Sequence, residues 1–186
     1  EHDLDTLFDE ITESDNAYGG VLLQKTNEVK PEVFQLTSIA FCDQTDIKGG
    51  PIAFKHFFSP DKLRGMTKNG WGDEKNGATI SIEDLIVLAE AEKEIAGGMQ
   101  KNQTTGKTIE VYIVKGSLPE HYLKDNDNME KYYNQVQIVA FYTSKDSKKE
   151  GVTLYRKKEN DDTVKFHTSK KVDNRALGSS VGERLL

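Results

Sequence analysis

The chain has a single cysteine, Cys42, so it can form no intrachain disulfide and no thiolate metal cluster. A lone thiol favours a reducing compartment or indifference to redox state. It closes the apolar run Phe34–Cys42, where the expected role is a buried structural thiol. Long apolar stretches are missing as well. None approaches the roughly 20 residues that a membrane-spanning helix requires, and Glu1-His2-Asp3 is not the basic start of a signal peptide. The first residue is not methionine, so the chain is processed or begins internally, and a removed export signal would undo the intracellular expectation. Excess positive charge is lacking too. With 25 Lys and Arg against 31 Asp and Glu, the net charge is -6 and the pI about 5.3. That balance argues against a general nucleic-acid binder and leaves room for a local basic patch.

Local catalytic and ligand motifs are missing or defective. His2, His56, His121 and His167 show no H-E-x-x-H or H-x-H spacing. Asp125 to Glu130 clusters hard oxygen donors, but it lacks the central glycine and the twelfth-position glutamate of a calcium loop, and so reads as a surface turn. Thr104-Thr105-Gly106-Lys107-Thr108 ends like a phosphate loop, yet Lys101 stands where the first glycine is required and the segment leads into a strand. Asn102-Gln103-Thr104 matches a glycosylation sequon, which matters only in a secreted protein. No metal and no cofactor is expected. Any enzyme built on this chain would need a site assembled from distant segments, with His56, Asp73 and Glu74 as its acid–base candidates.

What is present begins with a charged arm. The first sixteen residues hold seven acids and no lysine or arginine, and Leu4, Leu7, Phe8 and Ile11 recur at helical spacing. A helix this short must dock, on its own domain or on another subunit. Asp15 to Gly20 ends it. Strands are expected at Val21–Leu23, along the whole of Val33–Cys42 as one central strand, and at Ile52–Phe58, with the last two pairing. Ser59 to Thr79, rich in glycine and containing Pro60, reads as a long loop that presents Trp71 either to its own core or to a partner. Ser81 caps a helix over 82–96 in a box-like arrangement with Asp84, and Leu85, Leu88 and Ile95, with Ile82 and Ala89, form its apolar stripe. Gly97-Gly98 stops it.

Further strands are expected at Thr108–Val114, Gln135–Thr143, Val152–Tyr155 and Thr163–Phe166. A turn falls at Gly116–Pro119, and an irregular connection follows from His121 to Tyr133. Glu159 to Asp162 is read as a hairpin turn joining the last two strands. The segments Gln35–Phe41 and Gln135–Phe141 resemble one another at an offset of one hundred residues, explained by two central hairpins under the same packing demand or by duplication of a strand-loop-strand unit.

Between Lys145 and Arg175 ten Lys or Arg stand against six acids, leaving +4 opposite the -7 of the first sixteen residues. The cations Lys148, Lys149, Arg156, Lys157 and Lys158 fall in this region. The expected fold is α+β: an antiparallel or mixed sheet of about seven strands, as a curled sheet or sandwich, with one main packed helix. The expected organisation is an arm (1–18), one α+β domain (19–169) and a flexible tail (170–186). Charge polarity, arm and loop point to a non-enzymatic structural or interaction protein, such as a subunit of a virion or tubular assembly. Its contacts are expected at Leu4, Leu7, Phe8, Ile11, Trp71 and the five named cations, and its partner is a protein or a second copy. The competing readings are a dispersed active site and a nucleic-acid-binding module using the basic C-terminal hairpin.

Overall fold

The computed structural model of the protein describes residues 4–25, 31–42, 50–96, 108–123, 129–143, 148–159, 164–168, 177 and 180, with the side chains of 90–96 and 164–166 outside that description. Most of the calcium-like turn (125–128) and of the phosphate-loop ending (104–107), the glycine stop at 97–98, the sequon, His2 and nearly all of the tail lie outside the described residues.

The protein is α+β. Among the described residues are three α-helices, α1 (Leu4–Tyr18), α2 (Pro60–Met66) and α3 (Ile82–Ala96), rather than one main helix. The strands are β1 (Val21–Gln24), β2 (Glu32–Phe34), β3 (Ile39–Phe41), β4 (Ile52–Phe58), β5 (Ile109–Pro119), β6 (Tyr132–Thr143), β7 (Lys149–Lys158) and β8 (Val164–His167). Two open sheets result, ordered β2-β1-β8 and β3-β4-β5-β6-β7. No helix among the described residues is long and apolar enough to cross a membrane. By internal contacts the chain forms two units, residues 1–54 with 160–186, and residues 55–159.

In the first unit, α1 turns Leu7 and Ser14 inward, and the Ser14 hydroxyl donates to the Gly20 carbonyl at 2.9 Å. Gly19 ends the helix with a φ of 72°, a left-handed conformation that costs glycine little, while its N–H donates to Asp15 O. β1 pairs antiparallel with both β2 and β8. The expected single strand over Val33–Cys42 is two strands instead. A 3-10 turn at Leu36–Ser38, closed by Ser38 N–H donating to Gln35 O at 2.8 Å, ends β2. β3 beyond it pairs with β4, Ile39 opposite Phe54, as the sequence led one to expect. Short polar side chains such as Thr37 and Ser38 favour such turns by bonding locally. Cys42, just past β3, is exposed, contrary to the expected burial. The last two strands form no hairpin with one another: β8 pairs with β1, and most of the turn assigned to 159–162 lies outside the described residues.

The second unit holds a core of Phe58, Leu63, Trp71, Ile82, Leu85, Ile86, Ala89, Ile109, Val111, Val136, Ile138, Ala140 and Leu154. Each large aliphatic side chain there contributes roughly 1.5–3 kcal/mol on burial. The expected loop from Ser59 to Thr79 contains α2. Pro60, read as a breaker, occupies the first helical turn, where its missing N–H is no loss, and Ser59 Oγ accepts from Lys62 N at 3.3 Å. The rest of that segment covers the outer edge of β7 at two residues: Gly72 N–H donates to Leu154 O at 2.8 Å and Thr79 N–H to Thr153 O at 2.9 Å. Ser81 caps α3, accepting from Asp84 N–H at 3.1 Å and donating to Asp84 Oδ2 at 2.6 Å. The stripe of α3 is Ile82, Leu85, Ile86 and Ala89; Leu88 is exposed, and the Ile95 side chain lies outside the described residues. β5 continues through the expected turn at Gly116 to Pro119, because each residue to Pro119 finds a partner on β6.

Candidate functional site

Strand alternation gives the second unit's sheet two faces. One carries the core. On the other, β5 sends out Glu110, Tyr112 and Val114, β6 sends out Gln137, Val139 and Phe141, and β7 sends out Lys149, Thr153 and Arg156. A bulge on β7 at the Ile138–Val139 register step keeps Leu154 in the core while Thr153 and Arg156 share the outer face.

At one end of this outer face Glu110 organises a cluster of cations and rings. Its Oε1 accepts from the Tyr112 hydroxyl at 2.7 Å and meets Lys55 Nζ at 2.9 Å, and its Oε2 accepts from Lys149 Nζ at 2.6 Å. These bonds, the one from Lys149 foremost, hold the Glu110 carboxyl down at about 2. Lys55 Nζ lies 5.0 Å from the centre of the exposed Phe57 ring, and Lys149 Nζ 5.0 Å from that of Phe141. Tyr112 meets Phe141 edge-on at 5.4 Å. The cluster therefore carries two ammonium groups against one carboxylate, fixed among three aromatic rings.

At the other end lies a concavity of about 400 Å³, floored by Val114, Leu118 and Val139 and edged by Gln137, Thr153, Arg156, His121 and Tyr122. Gln135, fully buried, donates through Nε2 to the carbonyls of Leu118 and Pro119 at 2.7 and 2.8 Å. Gln137, 7% exposed, donates through its own Nε2 to Tyr122 O at 3.0 Å and to Gln135 Oε1 at 2.9 Å. The Arg156 stem lies against Gly77, whose φ of 77° and bare Cα leave room for it; a Cβ there would stand 2.8 Å from Arg156 Nε.

The residues picked out by sequence are dispersed. Leu7 is buried and Ile11 half-buried, while Leu4 and Phe8 are 54% and 61% exposed and form an apolar ridge beside Asp5 and Asp9. Trp71 is in the core, edge-on to Phe58 at 5.6 Å, so its side chain packs at home. The basic residues of β7 divide between faces. Lys149 and Arg156 take the outer one, where Lys158 lies 4.0 Å from the centre of the Tyr133 ring. Lys157, paired with Val136, takes the core side and lies near Tyr155, and Lys148 is exposed just before the strand. Of the acid–base candidates, Asp73 is engaged in a turn, its Oδ1 accepting from Lys75 N at 3.0 Å, and Glu74 is exposed. His56 is pushed down to about 4 by burial first and then by Lys62 and Lys115, which leaves it neutral near pH 7. Among the described residues no three His, Cys, Asp or Glu side chains converge to hold a metal. Lys55, Phe57, Glu110, Tyr112, Gln135 and Gln137 went unnoticed in the sequence. The available signal was the pair of glutamines at alternate positions inside an apolar strand, where a buried amide demands partners. The chain matches no protein-family model and no curated protein sequence.

Proposed function

We propose that the protein is a non-catalytic interaction protein, a subunit of a self-assembling complex of the virion or tubular kind, and that the outer face of its 55–159 sheet is a contact surface. The observation that carries this reading is the Glu110 cluster. Its carboxylate is consumed in fixing Lys55 and Lys149 among Phe57, Tyr112 and Phe141, an arrangement suited to recognition rather than proton transfer. The partner is a second copy, which presents the exposed Leu4–Phe8 ridge of α1 with Asp5 and Asp9 beside it: apolar side chains for the rings, carboxylates for the ammonium groups. The reading places the protein in a reducing compartment, where the exposed Cys42 stays a thiol.

Sedimentation of the full chain over a range of concentrations tests this. Oligomers are expected, weakened about tenfold or more by Phe8→Asp or by Lys149→Glu and weakened again by salt. A wild-type chain that stays monomeric at every concentration overturns the proposal. The outer face, with rings between cations, also has the chemistry of a single-strand stacking platform. Binding of a labelled oligonucleotide at low salt, lost in Lys149→Glu, would favour that second reading.

A further inference from the structure

The geometry points to a small-molecule site in the concavity over Val114, Gln137 and Arg156, for a carboxylic acid that carries a hydrogen-bond donor on its α-carbon and an apolar side chain. This inference stands apart from the assembly reading. Three observations support it.

The first is the orientation of Gln137. Both of its described hydrogen bonds use Nε2, and the acceptors, Tyr122 O and Gln135 Oε1, fix which end of the amide is the nitrogen. Gln135 is locked in turn, since its own Nε2 is committed to two backbone carbonyls. The Gln137 Oε1 accepts no hydrogen bond among the described residues, although the side chain is only 7% exposed and lines the concavity. A carbonyl oxygen fixed in orientation at the wall of an open concavity is a ready acceptor for an N–H or O–H that arrives with a ligand.

The second is register. Val114 stands opposite Gln137 on one side and Arg156 stands opposite it on the other, all three on the outer face. Directly opposed side chains start about 5 Å apart. An apolar surface, a hydrogen-bond acceptor and a guanidinium thus follow one another across three strands. Read onto a ligand, this order is apolar group, donor, carboxylate, with donor and carboxylate on neighbouring atoms. The guanidinium matches a carboxylate through paired N–H donors.

The third is shape and position. The concavity, about 400 Å³, lies in the range of small-molecule sites, and its floor is Val114, Leu118 and Val139. Arg156 is held at its rim by the close approach of its stem to Gly77. The Thr153 hydroxyl lies on the same wall and makes none of the hydrogen bonds found among the described residues, so it can serve the second carboxylate oxygen.

Free hydroxy acids and the C-terminal residue of a peptide share this chemistry, and the experiment separates them. Methyl NMR of the full chain follows Val114, Leu118 and Val139 during titration with 2-hydroxy-4-methylpentanoate. Parallel titrations use 4-methylpentanoate, which lacks the donor, 2-hydroxy-4-methylpentanamide, which lacks the charge, and N-acetyl-leucine, which continues as a peptide would. The hydroxy acid is expected to shift these methyls saturably. Loss of the donor or of the charge should weaken binding about tenfold each. Arg156→Gln should make the acid and its amide bind alike. N-acetyl-leucine binding tighter than the hydroxy acid assigns the site to a peptide end, and the reverse assigns it to a free acid. No saturable shift of these methyls up to about 20 mM, a concentration that would detect even millimolar affinity, overturns the inference. So do equal affinities for the acid, its amide and the donor-free acid, which would mark non-specific apolar contact. These ligand comparisons on the wild-type chain decide the matter even if Arg156→Gln does not fold.

Discussion

The segments Gln35–Phe41 and Gln135–Phe141 share glutamine at the start and Ala-Phe at the end, yet they have different fates. The first makes a 3-10 turn and a three-residue strand, with Gln35 and Ala40 exposed. The second is the middle of the twelve-residue β6, paired on both sides, with Gln135 and Ala140 fully buried. The difference lies in what flanks them. β5 and β7 offer Gln135–Phe141 an uninterrupted ladder, and the carbonyls of Leu118 and Pro119 meet the Gln135 amide. Gln35–Phe41 has the polar pair Thr37-Ser38 where β6 has Gln137-Ile138, and there the backbone turns. What the two keep in common is a strand-loop-strand pairing: Ala40 stands opposite Ala53 on β4 and Ala140 opposite Val152 on β7, each antiparallel.

Matched substitutions sharpen the contrast. Ile138→Ala should cost about 3 kcal/mol of stability in urea, since Ile138 is 3% exposed inside the core, whereas Ser38→Ala should stay within about 0.5 kcal/mol. Near-equal costs would break the comparison. Gln135→Ala should cost about 2 kcal/mol by stranding the two carbonyls it serves, against about 0.5 kcal/mol or less for Gln35→Ala.

Two further effects distinguish the faces of the sheet beside β6. His56, on the same side of β4 as the core residue Phe58 and 5.5 Å from its ring, has its pKa lowered from 6.5 to about 4. The unfolded imidazole takes up its proton near 6.5 and the folded one only near 4. Stability is therefore full above 6.5 and is lost as the pH falls through that window, by about 2 kcal/mol after allowing for partial exposure. His56→Leu should abolish this slope in urea titrations at pH 7, 5.5 and 4; an unchanged slope would assign it elsewhere. The smallest effect belongs to Glu110 on the outer face. Its carboxyl titrates at about 2 instead of 4.5, so its contribution is present above 4.5 and fades as the pH falls toward 2. Surface ion pairs of this kind contribute about 1 kcal/mol or less. Glu110→Gln should lower stability by that small amount at pH 6 and above, and flatten the slope between pH 4.5 and 2.

The sequence made β1, β4, α3 and the body of β6 plain, because each combines clear periodicity with a defined start or stop. The Ser81 cap and the pairing of β3 with β4 followed from it. It misled where one residue type serves two purposes. Pro60 breaks a strand pattern and also starts a helix, and Leu88 fits the α3 stripe on spacing although Ile86 occupies the buried position. The outer-face site was the least legible part. Lys55, Glu110 and Lys149 lie on three strands far apart in the chain, and only register brings them together. The basic run at 156–158 looked continuous in sequence, and strand alternation divided it.

Residues 72–79 cover β7 at Thr153 and Leu154, so no further strand can add to the sheet at that point. A bare sheet margin invites another chain to zip on, main chain to main chain, with little regard for sequence, which is the route to fibrils. Along this stretch the amide and carbonyl groups are already spoken for. Any contact made at that point must go through side chains rather than through strand addition.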